Sequence, residues 1–217
     1  MGLEKMDDFF TNRIDGYEEH QLNSIESAKK FYALTARHLP MEAGCKILDL
    51  GCGTGLELNE YFKRNPLASV TGIDLTESML EQLQTKFPDQ DLTLIHDSYF
   101  NIEYKENEYD AIVSVESLHH FTQKQKIDLY RKLHEALKNH GYFILTDYMV
   151  GNEQEEQQHF EELTQMKKEQ HLSDHQFYHY DTPLTREHEF DALIEGGFSR
   201  VEVINIWGNT TMLKAYK

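Results

Sequence analysis

Apolar and polar positions change rhythm along this chain, and each change marks an element. Over residues 5–39 apolar side chains recur at helical spacing: Phe9, Phe10, Ile14, Tyr17, Leu22, Ile25, Phe31 and Leu34 form a broken stripe. Pro40 and Gly44 end it. Short apolar runs follow. KILDL (46–50), SVTGID (69–74), LTLIH (92–96), YDAIVSV (109–115) and GYFILTDYMV (141–150) read as strands, several of them apolar enough to be covered on both faces. Helical patterns fall between them at 56–62, 76–87 and 123–138. Thr76 stands where an N-cap belongs, and Pro88 stops that helix.

Strands alternating with helices predict parallel pairing through right-handed crossovers, with helices on both faces of one sheet. Residues 152–182 break the alternation. They are acidic first (Glu153, Glu155, Glu156, Glu161, Glu162), then rich in His and Tyr, and predict one or two helices. A last helix over 185–195 ends at Gly196-Gly197. VEVINIW (201–207) and TMLKAY (211–216), joined through Gly208-Asn209, predict a closing antiparallel pair.

Composition narrows the class. Hydrophobic residues at 39% and aromatics at 12% suit a globular fold rather than a disordered chain. The net charge of -17 repels polyanions, so a nucleic-acid partner is disfavoured. The most basic stretch (Lys124, Lys126, Arg131, Lys132, Lys138) is diluted by Asp128 and Glu135 and reads as a solvated helix face. No apolar run approaches the ~20 residues that cross a bilayer. The start MGLEKMDDFF lacks a signal-peptide layout, and Cys45 and Cys52 are too few for a disulfide framework. A cytoplasmic protein without a membrane partner is expected.

Chemistry concentrates at the strand ends, where parallel sheets bind ligands. After Asp49 three glycines alternate, at Gly51, Gly53 and Gly55. Such a loop lets a ligand approach bare backbone at a helix N-terminus. A dinucleotide loop needs G-x-G-x-x-G, and Leu56 fills the place of its third glycine, which argues against a nicotinamide oxidoreductase. Asp74, ending the second strand, can accept ribose hydroxyls, and Asp97, ending the third, an adenine amino group. Ser98 and Tyr99 can flank the ring, with Ile73, Leu75 and Met79 as apolar surface; Val115 and Glu116 end the fourth strand at the centre of the cleft. Each acid read alone is as well explained by a turn or a cap. Cys52 reads as packing against the sheet rather than as a nucleophile.

Together these segments resemble class I methyltransferases that use S-adenosylmethionine. DLGCGTG (49–55) resembles their first motif, GIDLTESML (72–80) the second, HDSYF (96–100) the third, YDAIVSVESLHHF (109–121) the fourth and LKNHGYFILTDY (137–148) the fifth. The resemblance implies an α/β, Rossmann-like doubly wound fold: a seven-stranded, mostly parallel sheet with an antiparallel last strand, an N-terminal helical lid and a helical insertion before the last two strands. It divides a single methyltransferase domain (1–217) into lid (1–40), cofactor-binding core (41–150), insertion (151–185), and closing helix with antiparallel strand pair (186–217). It implies Gly51, Gly53 and Gly55 along the methionine and ribose of the donor, Asp74 at the ribose and Asp97 at the adenine. The pattern Phe10, Arg13, Tyr17 and the pair His119-His120 are similar to small bacterial and archaeal members acting on small molecules.

The expected activity is methyl transfer from S-adenosylmethionine to an O, N or S atom of a small molecule by in-line displacement. An RNA (tRNA) methyltransferase and a non-catalytic S-adenosylmethionine-binding sensor are the alternatives. Tyr17 and Arg13 can close over the donor, with Arg13 on its carboxylate. His119 or His120 can orient or deprotonate an acceptor, and Tyr148, with Asp147 beside it, can contact it; capping and packing are the competing readings. His171, His175 and His179 recur at every fourth position, a spacing that fits a shared metal, a pocket lid or an exposed helix face. No metal is assigned.

Overall fold

The computed structural model describes residues 2–173 and 175–217 of the chain. The N-terminal region forms three helices rather than a continuous one: α1 (Met6–Thr11), α2 (Tyr17–Ser24) and α3 (Ala28–His38). The chain reverses at Gly16 (φ 116°) and again at Ser27 (φ 62°), backbone that a helix cannot include.

The core then runs β1 (Lys46–Leu50), α4 (Leu58–Arg64), β2 (Ser69–Asp74), α5 (Glu77–Lys86), β3 (Asp91–His96), β4 (Tyr109–Val115), α6 (Gln123–Ala136) and β5 (Leu137–Tyr148). After α7 (Glu153–Glu169) and α8 (Arg186–Glu195) come β6 (Arg200–Trp207) and β7 (Thr210–Tyr216). One seven-stranded sheet results, in the order β3-β2-β1-β4-β5-β7-β6. The first five strands pair in parallel, and β7 is antiparallel to both β5 and β6.

The strands are apolar on both faces because both are covered. Leu48, Leu50, Ile112, Phe143 and Leu145 face a core completed by α6 and α8. Ile47, Val113 and Ile144 face a second core with α3, α4 and α5. This alternation with period two puts each successive residue on the opposite side of the sheet.

Several boundaries move for local reasons. The helix expected at 56–62 begins at Leu58, because the turn after Gly55 continues through Glu57. Strand β5 starts directly at Leu137, leaving no loop after α6. Thr76 does precede α5, but its hydroxyl does not cap the helix; Asp74 Oδ1 accepts the Thr76 N–H at 2.8 Å instead. Thr122 and Thr185 are hydroxyl caps, each accepting the N–H three residues on. No helix among the described residues is long and apolar enough to cross a membrane.

The N-terminal segment is tied to the stretch after α7. Lys5 and Tyr178 form an antiparallel bridge, the Met6 N–H donates to the Phe177 carbonyl, and the His179 N–H to the Glu4 carbonyl, both at 3.0 Å. Phe9 stacks on the His179 ring at 3.5 Å. Two segments far apart in sequence thus roof the carboxyl ends of the strands.

Candidate active site

Beneath this roof lie two adjoining cavities, at the strand ends where an open parallel sheet presents ligands. The first, about 60 Å³, has Gly51 and Gly53 on one side and Asp74, Leu75, Thr76 and Met79 on another. Ser98 and Tyr99 supply a third wall, and Met6, Phe10, Tyr17 and Phe177 close it. The second, about 1000 Å³, lies under α1 and α2 and reaches the β6–β7 turn.

The glycine loop owes its shape to its residue type. Gly51, Gly53 and Gly55 have φ of 65°, 49° and 69°, where a side chain is strained. A Cβ on Gly51 would lie 2.0 Å from Ser117 Oγ and 2.6 Å from Ser117 Cβ, so the two strand ends meet only because nothing intervenes. Asp74 braces the loop: its Oδ2 accepts the Gly53 N–H and its Oδ1 the Thr76 N–H, both at 2.8 Å. Behind the loop Asp49 Oδ2 and Glu57 Oε1 are buried without a hydrogen-bond donor among the described residues. Burial raises the pKa of both carboxyl groups, and each of Glu57 and Asp74 raises that of Asp49 further.

Several expected contacts settle elsewhere. Asp97 is exposed and lines neither cavity; its Oδ1 accepts the Ser98 N–H and the Asn101 amide. Val115 is buried in the core. Cys52 packs under Gly72, and Gly55 lies against Leu83 and Leu58. Arg13 pairs with Glu4 at 2.8 Å and covers the Phe9 ring, at the rim of the second cavity rather than in the first. The helical alignment of His171, His175 and His179 does not form. Helix α7 ends at Glu169, His171 adopts φ 53°, and His179 belongs to the extended roof strand.

Comparison with known proteins agrees with the fold and with the glycine loop. A family model described as a methyltransferase domain matches residues 47–141, which span β1 to the start of β5. The carboxy-S-adenosyl-L-methionine synthase of Nautilia profundicola is 22% identical over 97% of this chain and 90% of its own length. The cyclopropane-fatty-acyl-phospholipid synthase of Escherichia coli is 25% identical over 64% of the chain, which spans only 37% of that protein. The Haemonchus contortus phosphoethanolamine N-methyltransferase 2, solved with S-adenosyl-L-methionine, superposes with a TM-score of 0.70 at 22% identity; 94% of this chain covers 47% of that one. Residues 47–141 thus match a methyltransferase domain, and the chain shares its fold with S-adenosylmethionine-dependent methyltransferases.

Phe10, Tyr17, Glu116 and His120 face both cavities. The 3-10 turn Leu118–His120 after β4 presents the histidine pair, and β5 fixes it. Asp147 Oδ1 lies 2.6 Å from His119 Nδ1, and its Oδ2 accepts the Leu118 N–H. His119 Nε2 faces Asp181 Oδ1 at 3.5 Å. Burial disfavours the imidazolium, but Asp147 and Asp181 outweigh it and keep His119 protonated well above the usual histidine range. His120 differs. Its Nδ1–H donates to the Tyr180 carbonyl at 3.0 Å, which leaves Nε2 as the acceptor, and burial with the neighbouring His119 charge pushes its pKa down to about 3. The same His120 nitrogen lies 3.4 Å from Asp181 Oδ1, so His119, His120 and Asp181 form one cluster.

Ser117, Asp181, Trp207 and Thr210 were not legible as site residues. Each is a single polar or aromatic position in a connecting stretch or at a strand end, with no spacing that marks it.

Proposed function

We propose that the chain transfers a methyl group from S-adenosylmethionine to a nitrogen, oxygen or sulfur atom of a small molecule, an amine being the acceptor its charge favours: the amine enters as a cation and releases a proton to solvent before its lone pair attacks the methyl carbon. The observation that carries this reading is the meeting of a backbone-built cradle and a second, roomy cavity at one junction. A binding module that only senses the donor has no use for the second cavity.

The cradle suits the donor. Asp74 keeps a free lone pair on each oxygen for ribose hydroxyls, and Leu75, Met79 and Tyr99 offer surface to a base. A cavity of about 60 Å³ holds only a few waters, so Met6, Phe10 and Phe177 must move outward to admit a nucleoside. When bound, S-adenosylmethionine supplies a methyl carbon already activated by its sulfonium, whose C–S bond breaks as the acceptor bond forms. The protein's own task is then alignment and exclusion of water.

On the acceptor side Asp15, Glu26, Glu116 and Asp181 line the second cavity, whereas its one guanidinium, Arg13, already has Glu4. His119, His120 and Tyr148 stand where they can orient the acceptor. The net charge of -17 speaks against RNA. Calorimetry with S-adenosylhomocysteine tests the donor half: no binding at millimolar ligand would sink the proposal. Mass spectrometry of an amine, alcohol and thiol panel incubated with S-adenosylmethionine tests the acceptor half, with N-methylated product expected.

A further inference from the structure

Glu116 is the one carboxylate among the four side chains that line both cavities, and its backbone there is unusual. Its backbone has φ 50°, a conformation a glutamate rarely adopts, and its N–H donates to the Thr146 carbonyl at 2.8 Å. Its Oε1 accepts the Thr210 hydroxyl at 3.0 Å, which fixes the carboxyl from the side of the second cavity. Strain held by two fixed partners is how a fold keeps a side chain at a reacting centre.

We propose that Glu116 is the charge partner of the donor's sulfonium: its proton leaves when S-adenosylmethionine binds and returns when the uncharged sulfide product is left. This rests on the methyl-transfer reading above. Glu116 would then distinguish fresh donor from spent product, two ligands that differ at that atom by one methyl group and one positive charge.

The surroundings leave the group free to change state. Burial raises its pKa, the His119 imidazolium lowers it, Asp147 and Asp181 raise it and the Thr210 hydroxyl lowers it, holding Glu116 at about 7. Tyr17 from α2 and Tyr32 from α3 also lie within electrostatic reach and are neutral, their pKa values raised by burial. A cation arriving beside a half-ionised carboxyl completes its ionisation and releases the proton to solvent. The sign follows: S-adenosylmethionine affinity rises as pH increases through 7, and S-adenosylhomocysteine affinity does not.

Isothermal titration of both ligands into the intact protein, between pH 6 and 8 and in buffers of different ionisation heat, tests this. For the wild type we expect S-adenosylmethionine to gain about tenfold in affinity across the range and to release about half a proton at pH 7. In Glu116→Gln both effects vanish while S-adenosylhomocysteine still binds; should that variant not fold, Glu116→Met takes its place. Equal proton counts for the two ligands in the wild type overturn the proposal. So does a pH dependence that survives the substitution, because it then belongs to the ligand's own amino group. If neither ligand binds, it is the methyl-transfer reading that fails.

Discussion

The donor cradle and the acceptor cavity share four side chains but are made of different material. One wall of the cradle is backbone: glycines with positive φ, an N–H group bound to Asp74, and two strand ends brought within a side chain's width of each other. The acceptor cavity is mostly side chain, drawn from α1, α2, the stretch after α7 and the β6–β7 turn. Backbone geometry tolerates almost no substitution, whereas a side-chain wall can be rebuilt residue by residue. The comparison predicts brittle behaviour on one side and graded behaviour on the other.

Gly51→Ala should show the largest effect. Its new Cβ overlaps both Oγ and Cβ of Ser117, so a rotamer change of the serine does not relieve it. S-adenosylhomocysteine binding should fall at least a hundredfold, or the loop should fail to fold. Gly44→Ala is the control. It has the same kind of positive φ, 73°, but open space around it. It should cost about 1 kcal/mol of stability in denaturant and leave binding unchanged. Equal losses in the two variants would mean that backbone strain, not close approach, is what matters at Gly51.

Asp74→Ala comes next. It removes one hydrogen bond to the loop at Gly53, one to Thr76 and the proposed acceptor for the ribose, and donor affinity should drop at least tenfold by calorimetry. An affinity near that of the wild type would show that the loop holds its shape without the brace.

The same contrast explains what could be read in advance. The sheet was legible because the central strands are apolar on both faces, and the glycine loop because its spacing and its strand-end acids are local in sequence. The class of fold therefore came through, down to the antiparallel last strand. What a single sequence does not show is long range or conformational. Asp97 has the right position for an adenine contact, yet Ser98 and Asn101 draw its carboxylate into its own turn. Arg13 sits on the expected face but meets Glu4, nine residues away, before any ligand. His171, His175 and His179 have helical spacing in a stretch that pairs with the N-terminus as extended chain. The acceptor cavity gathers Glu26, Asp181 and Trp207 from three unrelated places, and no pattern in a single sequence links them.

Asp147→Asn tests the acceptor side. It keeps the shape but takes the charge from a buried partner of His119, so stability should fall by about 3 kcal/mol. The pH dependence has a definite sign. The raised pKa of His119 stabilises the fold fully below the unfolded histidine value and loses that effect as pH rises through the folded one. The lowered pKa of Asp147 contributes above the ordinary carboxylate value and is lost as pH falls. The gap between wild type and variant in urea melts should therefore be widest near about pH 5 and narrow in alkali. S-adenosylhomocysteine affinity should stay within about threefold throughout, since additivity holds for sites without shared partners. A larger loss would mean that the two cavities are coupled through β5.

Arg13→Ala should have the smallest effect, and it is the most pointed test of the division between the cavities. A guanidinium that bound the donor's carboxylate would, when removed, weaken donor binding strongly. Here the guanidinium is exposed, engaged by Glu4 and seated on Phe9 at the rim of the acceptor cavity. Exposed pairs of this kind contribute little, so donor affinity should change by less than about twofold. Any effect should fall on the acceptor instead, because removing Arg13 leaves Glu4 unpaired and makes the mouth of an already acidic cavity more negative. Methylation of a cationic amine should then hold or improve, and that of a carboxylate-bearing acceptor should decline. A tenfold loss of donor affinity would show that Arg13 leaves Glu4 and swings into the cradle when the donor enters, and the boundary drawn between the two cavities would have to move with it.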